Sequence, residues 1–430
     1  VTRFDPSGPL RGSLRPPSDK SISHRAALIA AMGEGETEIA GYLDAADTRS
    51  TLAAVEAVGA DVELSGPESD GLGVTVRGVG LRGAGPATID VGNAGTLLRL
   101  LPGWLAGQEG ERWVLDGDES IRRRPVDRIA VPLRQMGARL GAREDRLPPL
   151  EIEGARLRGI EYGLPIASAQ VKSCLLFAGL LAEGETRVLE PLPSRDHSER
   201  MLSAAGAAIE RSGEAVIVRP AERLDPGPIA VPADISSAAF FVVASLLVGG
   251  SEVVLEEVGV NPTRTGLLQI LGRMGAEIEV EDEREQGGEP IAGLRVRSAP
   301  LRATEVGGAE VPLAIDELPL VALAACFAEG TTVIRDAEEL RRKESDRIET
   351  VTAALRALGG EVEPTPDGMA IAGTGGLRGG AIDSHGDHRI AMLGAVAGLA
   401  SREGVEVRGM DAAAVSYPGF EGDLSSLLSG

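Results

Sequence analysis

The stretch Ser18-Asp19-Lys20-Ser21-Ile22-Ser23-His24-Arg25 sets a lysine, a histidine, an arginine and three serines at the head of an apolar run. Ser18 and Asp19 are good helix N-caps, and Ala26 to Met32 reads as a buried helix. Lys20 and Arg25 then fall in its first turns, with Ser21 and Arg25 four apart on one face. Cations at that end oppose the helix dipole. The arrangement is unfavourable unless an anion binds there, and the free backbone N–H groups favour the same anion. Arg99, Lys172 and Arg389 repeat the conflict at other helix openings, and Arg124, Lys343 and Arg347 at a second set. Pro125 fits a first helical position, which leaves Arg124 as the cap. Lys343 and Arg347, four apart, repel unless something negative bridges them. Arg122, Arg123, Arg341 and Arg342 read instead as ordinary surface charge.

Proton-handling groups accompany these cations. Asp316 stands in the apolar context Ala-Ile-Asp-Glu-Leu-Pro-Leu, Glu344 follows Lys343, and His388 precedes Arg389. A carboxylate held near cations in a partly dry cleft suits proton transfer. The four histidines lack metal-ligand spacing, so no metal is indicated. Neither a GxxxxGK[ST] loop nor a GxGxxG turn after a strand is present, which weighs against nucleotide hydrolases and dehydrogenases.

These residues need a scaffold, and its class follows from the composition. The 430 residues are 43% hydrophobic and 25% charged, a globular balance with room for two or three domains. A net charge of −22 and 3% aromatics argue against nucleic acid, which needs a basic face or stacking platforms. The longest apolar stretches are too short to span a bilayer. Cys174 and Cys326 each lie in an apolar helical run and read as small buried hydrophobes. With no signal-peptide pattern and no disulfide framework, a soluble cytoplasmic protein is expected.

The chain also repeats itself. A helix stop followed by a strand recurs as AMGEGETEI, LAGQEGERWVL, LLAEGETRVL, LLVGGSEVVL, CFAEGTTVI and LASREGVEV, marked by Gly35, Gly110, Gly184, Gly250, Gly330 and Gly404. A second series centres on Gly59, Gly137, Gly206, Gly275 and Gly359, and the chain ends near where a sixth would fall. Six α/β units with parallel strand pairs are too many for one core, so three per domain is the natural division. Placed by the repeat, residues 1–18 plus 233–430 form one domain and residues 19–232 the other. The helix openings are expected to converge on an inter-domain cleft that takes a small polyanion bearing phosphate and carboxylate groups.

The set Lys20-Ser21-Ile22-Ser23-His24-Arg25, Gly92-Asn93-Ala94-Gly95-Thr96, Arg124-Pro125, Ser168-Ala169-Gln170, Lys343-Glu344-Ser345-Asp346-Arg347 and Asp387-His388-Arg389-Ile390-Ala391-Met392 resembles the 5-enolpyruvylshikimate-3-phosphate synthase family along essentially the whole chain. The resemblance implies a two-domain enolpyruvyl transferase fold, each domain of three βαβαββ units, with the active site between them. The implied reaction moves the enolpyruvyl group of phosphoenolpyruvate to the 5-hydroxyl of shikimate 3-phosphate and releases phosphate, with no cofactor and no metal, in a monomer. Lys20, Ser21, Arg25, Ser168, Ala169, Gln170, Ser194, Arg195, Asp316 and Lys343 are implied to hold shikimate 3-phosphate. Lys20, Asn93, Gly95, Thr96, Arg124, Gln170, Arg347 and Arg389 are implied to hold phosphoenolpyruvate. Asp316, Glu344, Lys20, Lys343 and His388 are the implied catalytic groups, Asp316 taking the hydroxyl proton.

Some positions depart from the family pattern. Val415 stands where many members carry a lysine, and Glu339 where an asparagine is common. Ala169 and the Ser194-Arg195-Asp196-His197 stretch resemble the bacterial subgroup that includes glyphosate-tolerant members, yet Gly95 leaves the room that a tolerant member's alanine would fill. The sister transferase acting on a UDP-N-acetylglucosamine acceptor is the nearest alternative. Its reactive cysteine has no counterpart in the loop Asp116 to Arg124. A non-catalytic binding protein of the same fold is the other.

Overall fold

The computed structural model describes residues 1–68 and 71–428. Its strands form six small sheets. The sheet of Ala87–Asp90, Arg112–Asp116, Leu147–Glu153 and Arg139–Arg143, in spatial order, shows the pattern. The first two strands pair in parallel across the helix Gly95–Leu105, and the last two close an antiparallel hairpin. A parallel pair needs such a crossover, whereas a hairpin needs only a turn. One parallel pair occurs in every sheet. The marker glycines of both series have positive φ. Gly137, at φ 110°, caps the helix Asp127–Met136 in the left-handed state that only glycine adopts cheaply.

The sixth unit departs from the others. Its sheet has three strands, and its antiparallel member is Thr2–Phe4 from the start of the chain, paired with Val405–Arg408. After that strand the chain turns through a 3₁₀ segment, Met410–Val415, into the helix Phe420–Leu428. This is why no sixth glycine of the second series exists.

Two compact units result. One comprises Val1–Pro17, Ala233–Arg284 and the chain from Pro290 onward; the other comprises Ser18–Pro232 with Glu285–Glu289. Each unit has its own core, built on three helices buried along nearly their whole length. In the first these are Ile235–Leu247, Leu318–Ala325 and His388–Ala400, with Phe240, Phe241, Tyr417 and Phe420 clustered beside them. In the second they are Lys20–Met32, Gly95–Leu105 and Ala169–Gly179. Helices apolar all round belong inside, which accounts for runs such as Ala-Ala-Leu-Ile-Ala-Ala-Met. Cys174 and Cys326 are both buried, and burial pushes the Cys326 thiol up to about 12. Among the described residues, no helix is long and apolar enough to cross a membrane.

Four of the six inner helices open on the side-chain caps their sequences announce: Asp19, Ser168, Asp234 and Asp387 each accept a backbone N–H one turn in. Three helix starts are built differently. Gly95 begins its helix behind Ala94, with no side-chain cap. Asp316 is not a cap, because Glu317 takes that position. Pro125 is not the first helical residue: a 3₁₀ turn, Ile121–Arg123, ends at Arg124, and the helix starts at Asp127 behind Val126. The N–H of Val126 bonds the carbonyl of Arg146, which holds Arg124-Pro125 extended instead of helical.

Candidate functional site: two charged clusters at helix N-termini

Within the Ser18–Pro232 unit, the N-termini of the three inner helices come together. Arg25 is buried, and each of its three nitrogens makes a bond: Nε donates to Ser198 Oγ at 2.8 Å, Nη1 to the Ser21 carbonyl at 2.9 Å and Nη2 to Ser173 Oγ at 3.0 Å. Burial lowers its pKa to about 10, so it stays charged near neutrality. Gln170 Nε2 reaches Thr96 Oγ1 at 3.2 Å, joining the Ser168-capped helix to the Gly95 helix. A Cβ at Gly95 would lie 2.5 Å from Arg124 Nη1 and 3.1 Å from Arg99 Nη1, so the bare glycine lets two guanidinium groups rest over the helix start. The Asn93 carbonyl accepts the Gly95 N–H at 2.9 Å and shapes that start.

Lys20, one-third exposed, pairs with Asp47 at 3.1 Å. Behind them His24 is fully buried, with Nδ1 2.6 Å from Thr51 Oγ1 and Nε2 3.8 Å from Asp47. Burial outweighs Asp47 and lowers the His24 pKa. Burial alone would raise the Asp47 carboxyl, but His24 and Lys20 together hold it well below the usual carboxylate range. Ser194 is buried, its hydroxyl donating to Glu190, and Arg195 lies close enough to Arg25 to act on its charge. Lys172 does not present an open cation: it is fully buried between Glu190 and Glu199.

The other unit carries the second cluster. Asp316 Oδ1 lies 3.3 Å from Lys343 Nζ and 3.4 Å from Arg347 Nη1, and so supplies the negative bridge that this like-charged pair requires. Arg347 is buried. It also donates to Glu344 Oε2 at 2.6 Å and, through Nε, to Asp387 Oδ2 at 2.9 Å. Burial works to raise the Glu344 carboxyl, but Arg347 and His388 hold it below its ordinary value. Arg389 Nη1 donates to the Asp316 carbonyl at 3.0 Å and lies 3.4 Å from Glu317, which accepts the Ser236 hydroxyl. Arg264 closes the ring, donating to Ser236 Oγ at 2.8 Å and Asp234 at 3.0 Å. The three inner helices of this unit thus also meet at their N-termini.

The expected site residues divide between the two units: Lys20, Ser21, Arg25, Asn93, Gly95, Thr96, Arg124, Ser168, Ala169, Gln170, Ser194 and Arg195 belong to one, and Asp316, Lys343, Glu344, Arg347, His388 and Arg389 to the other. Arg122, Arg123, Arg341 and Arg342 pair on the surface with Asp116, Glu119, Asp346 and Glu338. Glu339 lies 3.4 Å from Lys343, and Val415 is nearly half exposed. Asp47, Glu317 and Asp387 are the carboxylates that sequence reasoning did not assign. Glu317 had a visible signal, an acid beside Asp316 in an apolar run, and Asp387 had one as a helix cap. Among the described residues no group of acidic, histidine or cysteine side chains could hold a metal ion.

A repeat-built α/β protein whose helix openings gather arginine and lysine around buried carboxylates belongs to the class that binds and reacts small polyanions. The chain belongs to the family EPSP synthase (3-phosphoshikimate 1-carboxyvinyltransferase), whose profile matches residues 4–424. It is 50% identical to a 3-phosphoshikimate 1-carboxyvinyltransferase of Synechococcus sp. (strain JA-3-3Ab), over 100% of this chain and 97% of that protein. It is 53% identical to the one from Gloeobacter violaceus, over 96% of each. The solved EPSP synthase of Acinetobacter baumannii superposes with a TM-score of 0.90 at 43% identity, covering 99% of this chain and 97% of that one. The fold is therefore the two-domain enolpyruvyl transferase fold.

Proposed function

We propose that this chain transfers the enolpyruvyl group of phosphoenolpyruvate to the 5-hydroxyl of shikimate 3-phosphate, releasing phosphate, in the biosynthesis of aromatic amino acids. Full-length relatedness to proteins named for that activity supports it. The observation that carries it to these residues is the Asp316–Lys343–Arg347–Glu344 constellation, in which two carboxylates of different surroundings share the Arg347 guanidinium and Asp316 also pairs with Lys343. Shikimate 3-phosphate is assigned to Lys20, Ser21, Arg25, Ser168, Ala169, Gln170, Ser194 and Arg195, with Asp316 and Lys343 at its hydroxyl end. Phosphoenolpyruvate is assigned to Lys20, Asn93, Gly95, Thr96, Arg124, Gln170, Arg347 and Arg389, since arginine binds carboxylate and phosphate bidentately.

The chemistry is addition followed by elimination. A proton goes to the methylene carbon of phosphoenolpyruvate from the Glu344–Lys343 end, with His388 and Lys20 nearby in role. The 5-hydroxyl oxygen attacks the adjacent carbon and passes its proton to Asp316. Loss of a proton from the methyl group then expels phosphate and restores the double bond. Cations fixed in advance stabilise the charge that builds up at phosphate and carboxylate without reorganising.

Residues 1–18 with 233–430, and 19–232, are taken as the two domains. Ala169 and the Ser194-to-His197 stretch favour the bacterial subgroup with those motifs. A monomer in the cytoplasm is the proposed state. Phosphate release from phosphoenolpyruvate plus shikimate 3-phosphate tests the reading, with Asp316→Asn as comparator. The variant is expected to bind shikimate 3-phosphate by titration while losing about 10²–10⁴-fold in kcat, the usual reach of general acid–base catalysis. No release by the unaltered protein would overturn the proposal.

A further inference from the structure

We infer that the buried Lys172–Glu190 pair, flanked by Glu199, positions the turn carrying Ser194 and Arg195, and so sets affinity for shikimate 3-phosphate; the inference rests on the binding assignment above. Lys172 is the fourth residue of the helix Ala169–Gly179, near an N-terminus that disfavours cations, and it is entirely buried. Its Nζ lies 3.0 Å from Glu190 Oε2, 2.7 Å from Glu199 Oε1 and 3.4 Å from the Ser194 carbonyl oxygen. Glu190, also fully buried, accepts from the Ser194 hydroxyl and from Arg211 at 2.6 Å. Both the carbonyl and the hydroxyl of Ser194 are therefore held by this one cluster.

The turn from Glu190 to Asp196 has no regular hydrogen bonding of its own, and Pro191 and Pro193 remove two backbone donors from it. Side chains must fix it. Along the facing helices the register is direct: Lys172 and Ser173 meet Glu199 and Ser198, while Arg25 bonds Ser198 and Ser173 alike. Lys172, which holds the turn, is thus followed in its helix by Ser173, which holds the Arg25 guanidinium. Burying these charges is costly, and an apolar trio would serve stability at least as well. What apolar side chains cannot supply is a directional hold on Ser194. Burial pushes the Glu199 carboxyl up despite Lys172, whereas it is Glu190 that accepts the Ser194 hydroxyl.

Glu190→Gln keeps the volume but aims an amide donor at Lys172 or Ser194. It is expected to raise the KM for shikimate 3-phosphate about tenfold or more, with kcat and the KM for phosphoenolpyruvate within about threefold of the unaltered protein. Glu199→Gln, which spares the Ser194 contacts, is expected to stay within about threefold throughout. Thermal melts of both variants separate positioning from loss of fold. A Glu190→Gln protein that melts lower yet shows an unchanged KM for shikimate 3-phosphate would overturn the inference and leave the activity standing. Equal loss for both substrates would also overturn it. An unaltered protein that fails to turn over shikimate 3-phosphate would overturn the activity itself, and this inference with it.

Discussion

Arg124 can rest over Gly95 because that residue carries no side chain. A methyl group there would meet Arg124 Nη1 at 2.5 Å, and because the guanidinium ends a flexible side chain, it is the arginine that moves. Gly95→Ala should raise the KM for phosphoenolpyruvate about tenfold while the KM for shikimate 3-phosphate holds, as steady-state kinetics can check. His24 gives a pH signature. Its folded pKa is lowered below the ordinary 6.5, chiefly by burial, with Lys20 and Arg25 adding to the effect and Asp47 opposing it. The unfolded chain therefore takes up a proton near pH 6.5 that the folded chain refuses. This contribution to stability is complete above that pH and is lost as the pH falls below it, by up to about 1.4 kcal/mol per pH unit for one proton. Melting temperatures from pH 7 to pH 5 should fall more steeply for the unaltered protein than for His24→Gln. At this scale the cations were legible, because lysine and arginine at a helix start conflict with the dipole. Their pairing with Asp47, Glu317 and Asp387 was not, since a carboxylate's distant contact leaves no local trace.

The helices explain why the motifs fall where they do. Asp387 both caps His388–Ala400, accepting the Arg389 N–H at 2.9 Å, and pairs with the buried Arg347. One side chain thus fixes a helix start and orients a cation. Asp387→Ala should cost about 3–5 kcal/mol by urea denaturation, as breaking a buried pair does. Asp387→Asn keeps a cap and should recover about 1 kcal/mol of that. Equal losses in the two variants would show that capping contributes nothing. Helix openings with Ser or Asp caps were readable from local chemistry alone. Arg124-Pro125 was not, because the hydrogen bond between Val126 and Arg146 joins segments twenty residues apart in sequence, and that tertiary contact overrides proline's preference for a first helical turn.

At the scale of the molecule, six α/β repeats could be read from marker glycines because each left-handed turn imposes the same residue. The N-terminal strand's place beside Val405–Arg408 left no such mark. Two units with separate cores should unfold as more than one cooperative block. Scanning calorimetry is expected to give a total enthalpy above the van't Hoff value, and shikimate 3-phosphate at about 100 times its Kd should stabilise the block containing residues 18–232 by about 2.7 kcal/mol. A single two-state transition would contradict the first expectation. The pairing of Thr2–Phe4 with Val405–Arg408 has a consequence for biogenesis. At about 5–20 residues per second, a ribosome needs roughly 20–80 s to make the segment that this first strand awaits. The whole Ser18–Pro232 unit emerges in that interval, so the nascent chain must keep its leading strand unpaired while an entire neighbour is translated.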